Sequence, residues 1–142
     1  MHSKANEAAA CFDGGFNCAQ AVLATYCEQF GLEKETALRV ACGLGGGMGK
    51  QQETCGAVSG AYLVIGLKYG QCTEDDVAAK EKTYALVREF ARRFEEQNHS
   101  TSCRALLGID LMNCEREIAA ERVKQVCPNA VRSAAEILEA LL

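Results

Sequence analysis

Nine cysteines in a chain of 142 residues are the chemistry to be explained. Sulfur can attack a disulfide, ligate a soft metal or hold an iron–sulfur cluster, and each role uses the thiolate. Thiolate is favoured in the first turn of a helix, where free N–H groups and the macrodipole meet. Four cysteines stand at such places. Cys18 follows Asn17, a good N-cap, Cys55 follows Thr54, and Cys103 follows Ser102. Cys127 precedes Pro128, a residue suited to the first helical position. The other five read differently. Cys11 and Cys27 fall inside helices, where a thiol is usually a small buried hydrophobe. Cys42 lies at a helix C-terminus, which disfavours thiolate, and Cys72 lies in a loop. Cys114 shares an apolar stripe with Leu111 and Ile118, so core packing is expected; its separation from Cys103 keeps it as a reserve ligand.

Spacing narrows the choice only so far. No C-x-x-C occurs, which counts against a zinc ribbon, a thioredoxin-type pair and a bacterial ferredoxin run. Any site is therefore assembled from distant segments. Four thiols so gathered suit a cluster, a single metal ion, or two dithiol pairs such as Cys18/Cys55 and Cys103/Cys127. His2 and His99 read as surface histidines, His99 being four residues from Cys103. The run Gly43, Gly45, Gly46, Gly47 and Gly49 is not a P-loop, because Gln51 follows Lys50 where Ser or Thr is required and a helix precedes it. These glycines are expected to let backbone pass close to the cysteine site, or to form a lid ahead of Cys55.

Composition sets the context. With 49% hydrophobic and 24% charged residues, the chain reads as one globular domain spanning 1–142. A net charge of −4 argues against nucleic acid as partner. The longest apolar run, Ala61 to Leu67, is too short to insert into a membrane. The first residues have no apolar core, so no export signal is read there and a reducing, cytoplasmic setting is expected. An odd number of cysteines also forbids complete internal pairing.

Helical periodicity runs through the chain without strand alternation, which predicts an all-α, compact multi-helix domain. Helices are expected over Ser3 to Phe12, from Cys18 toward Gly31, over Glu33 to Cys42, and from Cys55 to Tyr69 with Gly70 as terminator. The last of these carries small residues, Gly56, Ser59 and Gly60, and reads as the central helix. Thr73 and Asp76 resemble a capping box ahead of the stripe Val77, Tyr84, Val87, Phe90, Ala91 and Phe94. A short helix is expected over Cys103 to Leu107, another is capped by Asp110, and Pro128 opens the last.

Asn17-Cys18-Ala19-Gln20, then Cys55-Gly56-Ala57-Val58-Ser59-Gly60, then Cys103 with Leu106-Leu107-Gly108, then Cys127 resemble the redox-active proteins named for a C–GCAxxG–C–C pattern. One departure stands out: Cys55 precedes Gly56 here, whereas the label writes glycine before cysteine. The resemblance covers essentially the whole chain. It is similar also to a domain attached to multihaem cytochromes in anaerobic bacteria, which implies electron transfer and a redox partner protein; a homodimer is left open. The first expectation is an iron–sulfur cluster, most simply [2Fe–2S], ligated by Cys18, Cys55, Cys103 and Cys127. The second is a thiol–disulfide oxidoreductase using the same cysteines without metal. The third is a structural four-cysteine zinc module, or a binding protein without turnover.

Overall fold

The computed structural model describes residues 4–142; His2 and Ser3 lie outside them. The chain folds as helices α1 (Lys4–Asp13), α2 (Cys18–Tyr26), α3 (Lys34–Ala41), a four-residue glycine turn α4 (Gly45–Met48), α5 (Gly56–Tyr69), α6 (Val77–Asn98), α7 (Cys103–Leu107) and α8 (Arg116–Leu141). Among the described residues the one β-type pairing is an isolated antiparallel bridge between Thr54 and Ser102. The all-α expectation is met, as are the starts of α2, α5 and α7.

Local chemistry explains these boundaries. Asn17 closes a full capping box: its Oδ1 accepts from the Gln20 amide at 2.9 Å, and the Gln20 side chain accepts from the Asn17 amide at 3.0 Å. The Ser102 hydroxyl accepts from the Ala105 amide at 3.2 Å, and Gly108 ends α7 with a left-handed φ of 70°.

α5 is the central helix, packed against α2, α6 and α8. Its face from Gly56 to Ala61 is buried throughout. A Cβ on Gly60 would stand 2.8 Å from the Ala19 carbonyl oxygen, and one on Gly56 would stand 3.1 Å from both the Ala19 amide nitrogen and the Cys18 Cβ. The α2–α5 crossing thus rests on two missing side chains four residues apart, on one helical face. This accounts for the order Cys55-Gly56: the residue pressed onto α2 must be the glycine.

Three expectations are corrected. Pro128 does not open a helix but lies inside the 26-residue α8, which starts at Arg116 after Glu115, not after Asp110. Tertiary packing overrides the local break, since Val131, Ala134, Ala135 and Leu138 beyond it are buried against the bundle and the Tyr26 hydroxyl donates to the Ala135 carbonyl at 3.1 Å. The cap of α6 is Asp76, accepting from the Ala79 amide at 3.1 Å, rather than a Thr73 box. Only the second half of its stripe is core: Phe90 and Phe94 are fully buried, while Val77 and Tyr84 are each 54% exposed.

Candidate functional site

The four cysteines selected by their helix ends line one cavity of about 490 Å³. Cys18 enters as the first residue of α2, Cys55 as the N-cap residue of α5, and Cys103 as the first residue of α7. Cys127 enters differently, from the middle of α8 beside Pro128. Cys18, Cys55 and Cys103 are buried and Cys127 is half-buried; none is in a disulfide.

Two devices hold the quartet. The first is a backbone clip. The Cys55 amide donates to the Thr101 carbonyl and the Cys103 amide donates to the Glu53 carbonyl, both at 2.7 Å, on either side of the Thr54–Ser102 bridge. The starts of α5 and α7 are thereby fixed side by side. The second is the packing of α2 on α8, which brings Cys18 and Cys127 close enough for each thiol to shift the other's titration. The strongest mutual influence among the four is that of Cys18 and Cys127, and Cys127 also acts on Cys55 and Cys103.

The glycine run passes against this clip. Gly46, Gly47, Met48, Gly49 and Lys50 all have left-handed φ, between 63° and 69°, forming a left-handed turn that L-residues strongly avoid. A Cβ on Gly47 would lie 2.7 Å from the Cys103 Cβ and 2.6 Å from the Gln52 Cα. Gly45 packs onto the Asn17 side chain, whose amide group also donates to the Cys42 carbonyl at 2.9 Å. The expectation that these glycines bring backbone close to the cysteines is met.

Gln52 is the residue that reading the sequence missed. It is buried with a φ of 59°, its side-chain amide donates to the Ile109 carbonyl at 2.8 Å, and its Oε1 accepts from the Leu111 amide at 2.8 Å. Its side chain also lies near enough to Cys103 to lower that thiol's titration. Lying in the polar run Lys50-Gln51-Gln52-Glu53, it carries no local signal of burial.

Burial works against the thiolate expectation at three of the four cysteines. Burial pushes the Cys55 thiol up to about 12, against the pull of the Ala57 and Val58 amides at the start of α5. Burial, with the neighbouring Cys127, pushes Cys103 to about 11, and Gln52 only moderates this. Cys18 is raised well above the ordinary thiol value by the neighbouring Cys127 thiol and by burial. Cys127 alone is lowered, by the Cys18 thiol beside it. Desolvation outweighs the helix ends.

The remaining cysteines separate as follows. Cys27 is fully buried, Cys11 is half-buried in α1, and Cys72 is exposed, as expected. Cys42 is exposed on the rim of the cavity. Cys114 is not a core residue: it lies in the turn before α8, its thiol donating to the Glu115 carbonyl at 3.4 Å, and Ile118 is 52% exposed. The expected stripe of Leu111, Cys114 and Ile118 thus begins in the turn ahead of α8, not on a helix. His99 ends α6 with a left-handed φ of 74° and does not line the cavity.

Of the cavity's lining residues only Lys50 carries a formal charge. Among the described residues, no three His, Cys, Asp or Glu side chains are grouped as they would be around one metal ion. None of the described helices is long and apolar enough to cross a membrane. No curated protein and no solved structure matches the chain with significance. A family model does match, over residues 16–141, which contain Cys18, Cys55, Cys103, Cys127, Gln52 and the glycine turn; the chain belongs to the family described as "Putative redox-active protein (C_GCAxxG_C_C)".

Proposed function

We propose that this chain is a small electron-transfer protein in which Cys18, Cys55, Cys103 and Cys127 hold an iron–sulfur cluster, most simply [2Fe–2S]. The observation that carries this reading is the lining of one cavity by these four thiols from four separate segments, with Cys42 at the rim and without carboxylate or imidazole. That donor set fits iron–sulfur chemistry, whose ligands are thiolates. When bound, the cluster supplies a one-electron couple. The chain's own residues do the rest. The Thr54–Ser102 clip sets Cys55 beside Cys103, the α2–α8 contact sets Cys18 against Cys127, and Gln52 positions Cys103. Apolar walls keep water away from the sulfurs, which shifts a cluster's potential.

Anaerobic purification followed by iron, sulfide and zinc analysis tests the reading. Iron with equimolar sulfide and visible charge-transfer absorption is the expected result; colourless protein containing zinc or no metal overturns it. A second reading rests on Cys18 and Cys127 lining one cavity from packed helices, with the Cys127 thiol lowered beside Cys18. These two would then cycle between dithiol and disulfide, and the same preparation would be metal-free, with one oxidisable pair.

A further inference from the structure

The cavity is larger than its thiols require. At about 490 Å³ it holds on the order of sixteen water-sized volumes of about 30 Å³ each, whereas a [2Fe–2S] core has four atoms. The wall formed by α7, α8 and the turn between them is apolar: Leu106, Leu111, Val123 and Val126 are half-buried and line the cavity, with Phe12 of α1. The Arg122 guanidinium, on the same stretch of α8, is tied down by donating to the Leu107 carbonyl at 2.6 Å and is not a lining residue. The one cation on the lining is Lys50, its stem lying against Gly46 and its side chain exposed at the rim. Apolar walls with few polar groups and a volume of some hundreds of Å³ are the features of a small-molecule site.

We infer that this cavity is also the binding site of the electron acceptor or donor, an uncharged planar molecule of the quinone class, seated against the apolar wall of Leu111, Val123 and Val126 with an oxygen toward Lys50. Such a molecule is neutral when oxidised and draws negative charge onto its oxygens when reduced, which matches dry walls bearing a single cation. The inference rests on the reading that the cavity's cysteines carry a redox centre. Each quinone takes two electrons and two protons to become the hydroquinone. In the cluster reading the electrons would come one from each of two chains in succession, with protons from water; in the dithiol reading, Cys18 and Cys127 would give up both electrons and both protons and close to a disulfide.

The test is binding of duroquinone, whose fully substituted ring does not alkylate thiols, to anaerobically purified protein by calorimetry, with iron and sulfide measured in every sample. The expected result is one duroquinone per chain, weakened at least tenfold in Val123→Phe while iron and sulfide content stay at the wild-type level. Leu111→Phe serves if Val123→Phe does not fold. Lys50→Gln should weaken binding several-fold. Iron-loaded protein that does not bind duroquinone, or binds it equally in the filled-cavity variants, overturns the inference and leaves the cluster reading standing. Durene, the same shape without oxygens, competing as well as duroquinone overturns the quinone class. Metal-free protein that still binds duroquinone, with the same loss in Val123→Phe, overturns the cluster and supports the site.

Discussion

Gly47 gives the most direct test of how the glycine turn serves the cysteines. Replacing it with alanine introduces two separable costs. The first is conformational: at a φ of 69° an L-residue costs about 1–2 kcal/mol. The second is steric, because the new Cβ would meet the Gln52 Cα, the Cys103 Cβ and the Glu53 amide nitrogen at 2.6–2.7 Å. Two of these three atoms are backbone and cannot swing aside, so an overpacking cost of roughly 1–3 kcal/mol adds to the first. The sum, about 2–5 kcal/mol, is a large share of a typical stability of about 5–15 kcal/mol. At about 2–4 °C per kcal/mol for a chain of this size, Tm should fall by about 4–20 °C. Gly49→Ala is the matched control. Its φ is 63°, but nothing lies within 4 Å of the added Cβ, so only the conformational cost of about 1–2 kcal/mol applies. Urea unfolding of both variants, paired with iodoacetamide labelling of Cys103, measures the difference. Equal destabilisation, with Cys103 equally protected in both, would refute the claim that this turn is built to pass the Cys103 side chain.

Gly60→Leu should cost roughly 1–3 kcal/mol or more by driving α5 away from Ala19, and unchanged melting would show that the crossing tolerates a side chain. Cys18→Ser, Cys55→Ser, Cys103→Ser and Cys127→Ser should each abolish iron retention, whereas Cys11→Ser, Cys27→Ser and Cys72→Ser should keep it; similar losses in all seven would count against the assignment. For the metal-free protein, Cys55 and Cys103 titrate near 12 and 11 in the fold against 9.0 unfolded. Their protonated burial is fully present below pH 9 and is lost as pH rises through 11–12, so the urea midpoint should fall steadily above pH 9 and less steeply in Cys55→Ala. In that same protein at pH 8, Cys42 and Cys72 should label first, and Cys127 ahead of Cys18, Cys55 and Cys103. Loading iron and sulfide should then protect Cys127, and continued rapid labelling of it in loaded protein would argue for the dithiol.

What the sequence reveals here is mostly local. Asn17 before Cys18, Ser102 before Cys103 and Gly70 after Tyr69 mark helix ends through hydrogen bonds within a few residues, and all three are found where expected. The small face of α5 is legible for a related reason, since Gly56 and Gly60 recur at helical spacing. Pro128 misleads because its lost hydrogen bond is a local cost, whereas the burial of Val131, Ala134 and Leu138 that carries α8 through it is not local at all. Gln52 is invisible for the same reason: its partners, Ile109 and Leu111, are 57 and 59 residues away. Cys127 was selected on a mistaken premise, a helix start, yet it lines the cavity with the other three.

The thiol chemistry follows from the one effect that a helix-end argument leaves out. An N-terminal turn stabilises charge by a fraction of a kcal/mol to about 2 kcal/mol, while full burial shifts a titrating group by up to about 3–5 pH units. With Cys103 near 11, only about one molecule in ten thousand carries its thiolate at pH 7, and fewer still carry that of Cys55. Three of the four sulfurs are thus poor nucleophiles as they stand. A cation among them reverses the balance, because its charge replaces the solvation that burial removed and drives the protons off on binding. On the proposed cluster reading, burial therefore disfavours thiolate at three of the four positions until a cationic guest binds. It also makes Cys127, the one thiol whose titration is lowered, the residue at which the metal and dithiol readings part.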